Sequence, residues 1–436
     1  MQKRNLLIYL LVAILLEVGL VTFCCGIFGY MASAIVLALV SISVGVGFLY
    51  FVRDEKNMND SGNVLIDTRL FLFFTTLFIG YVTRASRIFT SEVMRIDLAH
   101  ASNSDVIPQV TILVTRLLHG EFPYKVISDW ATPLSPTYLP MQWLPFIVGQ
   151  VLMCDYRWIA SGFLLLVICW LLFRQIGGLK TWQSICAMLF PMLILWSYER
   201  FDKPTLGLTI EPLIAGYYLL LAGSLLCNWR NGIVAAIICC LLSRFAVVFW
   251  VPLFFFVLLI MKEYKYLKIS LLSIIISILC IYVIPFWMQD TSIFSNGLKY
   301  HTIAATAEWV TPGFTNESGG SYHLFKGIGL ASWFHRFGGG EIVDRLKALQ
   351  VVHFLLSSLT PILLGFLFYK QKARFEYNLF LLAALKIYLT IFYTFIQIPY
   401  SYLWMTPLFV DFAIVLYLLR WYHNRIDSVE GYDSIV

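Results

Sequence analysis

Charged residues are scarce in this sequence. Asp, Glu, Lys and Arg make up 13% of its 436 residues, whereas 60% are hydrophobic and 17% are aromatic. Soluble globular domains carry roughly 25% charged residues. The scarcity excludes a protein whose main solvent is water. The apolar runs that recur from Asn5 to Trp421 therefore indicate one membrane domain over residues 1–436.

Motifs of soluble chemistry are missing as well. The nine cysteines form no CxxC pair, no Gly-rich phosphate loop is present, and the histidines show no ligand-like spacing. We therefore expect no metal and no cofactor. The formal charge of +6 comes from short basic clusters between apolar runs. That pattern orients membrane helices, so we expect no nucleic-acid partner.

What is present is a series of long apolar runs. A bilayer core needs roughly 20 apolar residues per helix, and the runs predict an all-α polytopic membrane protein with about 12 transmembrane helices, or about 13 if the longest run breaks at Arg244. The predicted spans lie near residues 5–24, 30–52, 64–83, 138–154, 157–173, 181–197, 209–227, 232–261, 267–288, 347–369, 377–396 and 400–420.

Short basic loops predict the orientation of these spans. Lys3-Arg4, Arg53–Lys56, Lys262–Lys268, Lys370–Arg374 and Arg420–Arg425 should all face the cytoplasm, because Lys and Arg concentrate on that side. Two long outer loops follow, over residues 84–137 and 289–346. The second loop is rich in glycine around an aromatic stretch, which is typical of a mobile cover or of a flexible connector.

The first outer loop contains an amphipathic segment. Apolar residues recur at helical spacing over Val106–Leu118, which predicts a short helix on the membrane surface. Asp105 is placed to cap its N-terminus, Pro108 fits its first turn and Gly120 ends it. As an outer-loop carboxylate, Asp105 is also positioned to act as a general base on a membrane-bound sugar. Both interpretations of Asp105 remain open at this point.

A few charges interrupt the apolar runs, where each costs on the order of 3 kcal/mol at mid-bilayer. Arg244 is the clearest of them. Its guanidinium is suited either to a lipid phosphate or to an internal ion pair with Glu211 or Asp411. Glu17 and Lys386 have no obvious partner, so we expect them to snorkel or to mark helix ends.

The stretch SDVIPQVTILVTRLLHGEFPY, followed by SPTYLPMQWLPF, resembles the first outer loop of the GT-C membrane glycosyltransferases. It looks most like the branch that uses polyprenyl-phosphate mannose. A Ser-Asp pair opens a surface helix, a Gly-x-x-Pro-Tyr turn ends it, and a Tyr-x-Pro element leads into the next helix. The resemblance extends weakly to CNWRNGIVAAIICCLLSRFAVVFWVP, which contains Arg244, and to IPYSYLWMTPLF. It departs from the family in SDVIPQ, which lacks the usual aromatic residue.

The resemblance implies an inverting glycosyltransferase that moves a sugar, mannose in that branch, from a polyprenyl phosphate donor to a lipid-linked or glycan acceptor. Asp105 would be the catalytic base. The expected site is at the outer face of a bacterial plasma membrane, among membrane lipids. The rival interpretation is a transporter or flippase of lipid-linked saccharides. We assign the donor phosphate to Arg244, Arg84 and Arg87, and substrate contacts to Tyr124, Tyr138, Glu211 and His301.

Overall fold

The protein is described here by a computed structural model that covers residues 2–23, 28–55, 68–93, 106–128, 134–177, 179–310 and 322–433. These residues are mostly helical; no β-strand occurs among them, and an isolated antiparallel bridge joins Ile127 to Leu134. Within these ranges, seven helices are long and apolar enough to cross a membrane. The prediction of an all-α, multi-pass membrane protein is confirmed at that level. The seven are Lys3–Phe23, Gly29–Val52, Tyr156–Gln175, Tyr264–Trp287, Ile342–Arg374, Tyr377–Thr394 and Ser401–Arg425.

The α-helices of the described residues follow one another in this order: α1 Gln2–Phe23, α2 Gly29–Val52, α3 Thr68–Val93, α4 Val106–Leu118, α5 Pro140–Trp143, α6 Ile147–Val151, α7 Tyr156–Gln175, α8 Thr181–Phe201, α9 Lys203–Leu208, α10 Glu211–Leu226, α11 Arg230–Leu241, α12 Trp250–Ile260, α13 Tyr264–Ile278, α14 Ile293–Val310, α15 Ala331–Phe337, α16 Ile342–Gln371, α17 Tyr377–Thr394 and α18 Met405–Asp433. A π-helical segment, Leu279–Trp287, continues α13.

Contacts between helix termini define two ends of the bundle. At one end, Lys3 near the start of α1 donates to the carbonyl of Arg53 at the end of α2, at 3.2 Å. At the other end, the rings of Phe23 and Phe201 close α1 against α8 at 4.6 Å, and Arg84 on α3 pairs with the end of α8. We call these the Lys3 end and the Arg84 end.

The longest apolar run breaks at Arg244, which has extended backbone angles (φ −147, ψ 143). Its two halves, α11 and α12, run antiparallel. Arg230 at the start of α11 pairs with Glu263 just after α12 at 3.1 Å, and Tyr266 donates to the Arg230 carbonyl at 2.9 Å. Arms of 12 and 11 residues are only about 18 Å long, against roughly 30 Å for a bilayer core. Arg244 therefore lies at the tip of a short helical hairpin.

The prediction of one continuous helix over residues 138–154 is wrong. This segment consists of α5, a 3₁₀ turn over Leu144–Phe146, and α6. Pro140 begins the first piece and Pro145 lies within the turn; proline supplies no backbone N–H and obstructs a continuing helix. The apolar composition of the run reflects packing of short pieces, because Trp143 and Phe146 are fully buried.

The helix predicted over Val106–Leu118 is present with those bounds. Gly120 has a φ of +73°, the left-handed conformation expected of a helix stop. Arg116, in the last turn, donates to the carbonyl of Pro123 at 3.1 Å and so fixes the chain that follows. The capping interpretation of Asp105 concerns a residue outside the described part of the chain.

The described residues of the second loop form a packed unit rather than a flexible connector. α14, α15 and the start of α16 enclose a small hydrophobic core that contains Trp309, Phe325 and Leu346. His335 lies against Trp309, whose carbonyl is 3.2 Å from its Nε2. Gly319-Gly320, on which the prediction of mobility partly rested, lies outside the described residues.

Candidate functional site

Arg244 and Glu211 form the central pair of the candidate site. Nη1 and Nη2 of Arg244 each lie 2.6 Å from one oxygen of Glu211, in the parallel geometry of a bidentate pair. The Glu211 side chain is 1% exposed and the Arg244 side chain 20% exposed. Glu211 is the first residue of α10, where the helix dipole favours a carboxylate. Of the two ion pairs predicted for Arg244, the structure contains the one with Glu211.

A chain of polar contacts continues from Glu211 to Asp202. The backbone N–H of Glu211 donates to Thr209 Oγ1 at 3.2 Å, and the Thr209 hydroxyl donates to the carbonyl of Thr205. The Thr205 hydroxyl donates to Asp202 Oδ2 at 2.8 Å. These residues lie at the end of α8, in α9 and at the start of α10, so the short α9 brings the two carboxylates to one end of the bundle.

The segment before α18 contacts both ends of this series of polar contacts. The Ser401 hydroxyl donates to Asp202, and the ring of Tyr402 lies 6.0 Å from the guanidinium carbon of Arg244. A guanidinium near an aromatic face is attracted to it. We call the resulting set the Arg244 cluster; it comprises Asp202, Thr205, Thr209, Glu211, Arg244, Ser401 and Tyr402.

The tip of the hairpin contacts α5, which follows the first predicted outer loop, and α14 of the second. The backbone N–H of Met141, just after the first loop, donates to the carbonyl of Leu242 at 2.9 Å. From the second loop, the ring of Phe294 packs edge-on against Phe245 at 5.9 Å. The Arg244 cluster therefore lies at the Arg84 end, between the two segments for which a substrate-facing role is predicted.

A cavity of about 330 Å³ opens between the two loops. The first loop contributes Phe122, Tyr124, Lys125, Val126, Ser135 and Pro136 to its lining, and the second contributes Gln289, Asp290, Ile293 and Asn296. Aromatic faces together with amide, hydroxyl and carboxylate groups can contact the rings and the hydroxyls of a sugar.

Tyr124 and Tyr138, two of the predicted substrate residues, contact each other. The Tyr124 hydroxyl donates to the Tyr138 carbonyl at 2.8 Å and accepts from Trp143 Nε1 at 3.1 Å. Tyr124 is 7% exposed. Its hydroxyl is thus engaged within the protein.

The remaining predicted site residues are spread over the Arg84 end. Arg84 Nε lies 3.1 Å from Glu199 Oε2, so this arginine also has a buried glutamate as partner. Arg87 is exposed on the same helix, α3, and His301 is exposed on α14. Asp105 lies outside the described residues, directly before α4.

The Arg244 pair leaves capacity for an anion. A guanidinium has five N–H donors, and Glu211 engages one on each terminal nitrogen. The Tyr393 hydroxyl also interacts with the Arg244 side chain, so the donors left for a phosphate are those at the partly exposed face of the guanidinium. Because Glu211 already balances the charge of Arg244, a bound phosphate would need a further cation or a protonated carboxyl nearby.

Sequence analysis missed three buried charged residues at this end, one of which is Glu199, the partner of Arg84. Asp202, which the sequence analysis did not single out, accepts two hydroxyl hydrogen bonds. Arg157 is 2% exposed and donates to the carbonyls of Gly207 and Phe89 at 2.8 and 2.9 Å. Its position at the edge of an apolar run was the only signal in the sequence. Arg157 joins α3, α7 and α9 and so holds the Arg244 cluster in place.

A second charged cluster lies inside the bundle. Lys386 Nζ is 2.8 Å from Glu17 Oε1 and 2.7 Å from Asp411 Oδ2, and all three side chains are 0% exposed. Glu17 also accepts from Ser41 at 2.9 Å and from Trp404 Nε1 at 3.0 Å. The prediction that Glu17 and Lys386 are isolated is wrong, because α1, α17 and α18 bring them together. Their full enclosure is typical of a structural pair rather than of a water-lined path.

Among the described residues, no group of three or more His, Cys, Asp or Glu side chains is arranged to hold a metal ion. Comparison with known proteins gave no assignment: no protein-family model matches the chain, and no curated protein or solved structure matches it significantly.

Proposed function

We propose that this protein is an inverting glycosyltransferase that moves a sugar from a polyprenyl phosphate donor to a lipid-linked or glycan acceptor at a membrane face. The observation that carries the proposal is the position of Arg244. It lies at the tip of a hairpin too short to span a bilayer, flanked by α5 and by α14. A phosphate that enters from the bilayer could reach this depth with its prenyl chain still in lipid.

The arrangement of helix ends supports a topology for this site. Arg157, at the start of α7, donates to the carbonyl of Phe89 near the end of α3, so the chain between them leaves and returns at the Arg84 end. Residues 138–154 then add no crossing. The short hairpin of α11 and α12 enters from the Lys3 end and returns to it, so it leaves the sidedness of the following helices unchanged. The basic loops gather at the Lys3 end, which we assign to the cytoplasm; the Arg244 cluster then faces outward.

The proposed reaction is a single displacement at the anomeric carbon. The acceptor hydroxyl oxygen forms a bond to that carbon as the bond from carbon to the phosphate oxygen breaks. The bonding electron pair leaves with the phosphate, which Arg244 stabilises, with Arg84 and Arg87 at the same end of the bundle. Asp105 takes the proton of the acceptor hydroxyl. The products are the glycosylated acceptor and polyprenyl phosphate.

We assign the sugar and the acceptor to the cavity between the two loops. The cavity between the loops presents Tyr124 and Lys125 opposite Gln289 and Asp290. Tyr138 supports Tyr124 through its carbonyl, and we assign Glu211 to the orientation of Arg244. We assign His301, at an exposed position of α14, to the same substrate. Apolar surface for the prenyl chain is plentiful, because only 17% of the most apolar 18-residue stretch of Tyr264–Trp287 is buried.

The test is sugar transfer in nanodiscs from a radiolabelled polyprenyl phosphate sugar to a panel of lipid-linked and glycan acceptors. Wild type is compared with Arg244→Gln and with Arg230→Gln. Arg230 is a matched control because it also pairs with a glutamate in this hairpin, but at the Lys3 end. We expect transfer by wild type and by Arg230→Gln, and a loss of roughly 100-fold in Arg244→Gln.

Two results would contradict the proposal. If wild type binds the donor but transfers its sugar to no acceptor, while liposomes containing the protein move the lipid-linked sugar between leaflets, the protein is a flippase. If Arg230→Gln and Arg244→Gln lose transfer equally, the arginine at the tip has no specific part in the reaction.

A further inference from the structure

A cavity of about 470 Å³ lies at the Lys3 end, opposite the Arg244 cluster. Its charged lining consists of Lys3, Arg53, Arg374 and Asp54. Three cations thus face one carboxylate. The lining keeps a net positive charge even when Glu55, the partner of Lys3, is counted. Such a balance favours an anionic ligand.

Two of the cations are held at the rim by neighbouring carboxylates. Arg374 Nε and Nη2 lie 2.7 and 2.5 Å from the two oxygens of Asp54. The backbone N–H of Asp54 donates to the Arg374 carbonyl at 2.7 Å, while Lys3 contacts Glu55. These contacts join the start of α1, the end of α2 and the turn after α16. The cavity is therefore built from three elements rather than from one mobile side chain.

Arg53 is the cation without a carboxylate. Within the part of the chain that the structure describes, it forms no ion pair, and its Nε is buried without a hydrogen-bond partner. A buried donor with no acceptor costs about 1–3 kcal/mol. Arginine is also the side chain whose planar donors fit a phosphate. Arg53 therefore lacks a hydrogen-bond acceptor in this cavity, and a bound anion would provide one.

The rest of the lining indicates that this anion carries a lipid tail. Asn5, Leu6 and Tyr9 on α1 and Tyr50 on α2 complete the wall, and the two tyrosines are 48% and 50% exposed. Half-exposed tyrosines beside lysine and arginine at helix ends are typical of the boundary between headgroups and acyl chains. A free phosphate would leave this apolar wall exposed to water.

We propose that this cavity binds the phosphate of an anionic membrane phospholipid. Arg53 donates to the phosphate oxygens, Lys3 and Arg374 flank it, and the acyl chains lie along α1 and α2 past Tyr9 and Tyr50. The site is separate from the Arg244 cluster. It follows from the residues at the Lys3 end alone and does not depend on the proposed transferase activity.

The experiment measures lipid dissociation constants by native mass spectrometry of the full-length protein with phosphatidylglycerol or phosphatidylcholine. Arg53→Gln is compared with Arg4→Gln, a matched control that removes one charge from an exposed residue next to Lys3 and outside the cavity. We expect phosphatidylglycerol to bind about tenfold more tightly than phosphatidylcholine. Arg53→Gln should weaken its binding about fivefold and Arg4→Gln less than about twofold. Arg53→Lys, which keeps the charge, is the second variant if Arg53→Gln does not fold, and should weaken binding less.

Three results would overturn this assignment. Equal affinity for the two lipids would show that the cavity does not recognise an anion. Equal losses of phosphatidylglycerol affinity in Arg53→Gln and Arg4→Gln would show that the lipid responds to general surface charge rather than to this cavity. Displacement of phosphatidylglycerol by the same concentration of inorganic phosphate or glycerol phosphate would identify a site for a free anion rather than for a lipid.

Discussion

Arg244 and Glu211 meet through two parallel contacts of 2.6 Å although 33 residues separate them in the sequence. The contact exists because α10 and α11 run antiparallel, so that the start of one helix lies beside the end of the other. It places the buried carboxylate of Glu211 against Arg244, the partly exposed arginine at the hairpin tip. This relationship supports both the stability of the hairpin and the proposed phosphate site.

Removal of Arg244 alone should destabilise the protein strongly. Arg244→Ala leaves Glu211 charged and buried, which we expect to cost roughly 3–5 kcal/mol in the free energy of unfolding. The double variant Arg244→Ala with Glu211→Gln should recover part of that loss, because no isolated charge remains. Reversible unfolding in mixed micelles measures Arg244→Ala, Glu211→Gln and the double variant beside wild type. Additive losses in a double-mutant cycle would show that the pair is not coupled.

The Glu17–Lys386–Asp411 cluster provides an independent test of the bundle core. Lys386→Met removes the only ammonium between two fully buried carboxylates, and we expect a loss of roughly 3–5 kcal/mol in the free energy of unfolding. Lys347→Met, at an exposed position of α16, is the control and should change it by less than about 0.5 kcal/mol. Comparable effects of the two substitutions would contradict the buried arrangement.

Two glycines in apolar helices should respond in opposite directions to alanine. A Cβ at Gly45 on α2 would lie 2.6 Å from Ile387 Cγ1 and 3.2 Å from the Ile387 backbone nitrogen on α17. Gly45→Ala should therefore cost about 1–3 kcal/mol. A Cβ at Gly19 on α1 would meet nothing within 4 Å, so Gly19→Ala should be neutral or stabilise by up to about 1 kcal/mol. The midpoints of thermal unfolding in detergent rank the two variants; the reverse order would argue against close packing of α2 on α17.

The second loop should lose stability on acidification because of His335. Burial lowers the pKa of this imidazole below its usual value of 6.5, and Arg345 lowers it further, against the opposing effect of the hydrogen bond to the Trp309 carbonyl. The neutral ring can donate Nε2–H to that carbonyl, so the bond needs no charge. A depressed pKa means that the unfolded state binds more protons. The contribution of His335 to the stability of the second loop is therefore fully present above pH 6.5, and it is lost as the pH falls through the folded-state pKa.

Hydrogen exchange of the α15 amides at several pH values measures this effect, with His335→Gln beside wild type. Protection in wild type should fall as the pH drops below 6.5, after correction for the intrinsic exchange rate, and the variant should lack this dependence. An unchanged pH profile in His335→Gln would assign the effect to another group.

Features governed by neighbouring residues were predictable from the sequence. The bounds of α4 follow from its apolar spacing and from Gly120. The break at Arg244 was one of two alternatives that the sequence left open for the longest run, and the structure contains it. Partners from distant segments were not predictable. Glu17 and Lys386 are 369 residues apart, and each looked isolated because pairing across a bundle depends on which helices pack together. The continuous helix predicted over residues 138–154 was wrong for another reason. Composition alone does not distinguish a spanning helix from short buried pieces broken by proline.

The most direct test of the transferase hypothesis is a single-turnover measurement with Asp105→Asn. Protein in nanodiscs is loaded with radiolabelled polyprenyl phosphate sugar and then mixed with an acceptor that supports transfer by wild type. Asp344→Asn, an exposed carboxylate in the first turn of α16, is the control. We expect Asp105→Asn to retain the donor but to transfer its sugar roughly 10²–10⁴-fold more slowly, because the acceptor proton has no base, while Asp344→Asn behaves as wild type. Transfer by Asp105→Asn at the wild-type rate would contradict the account.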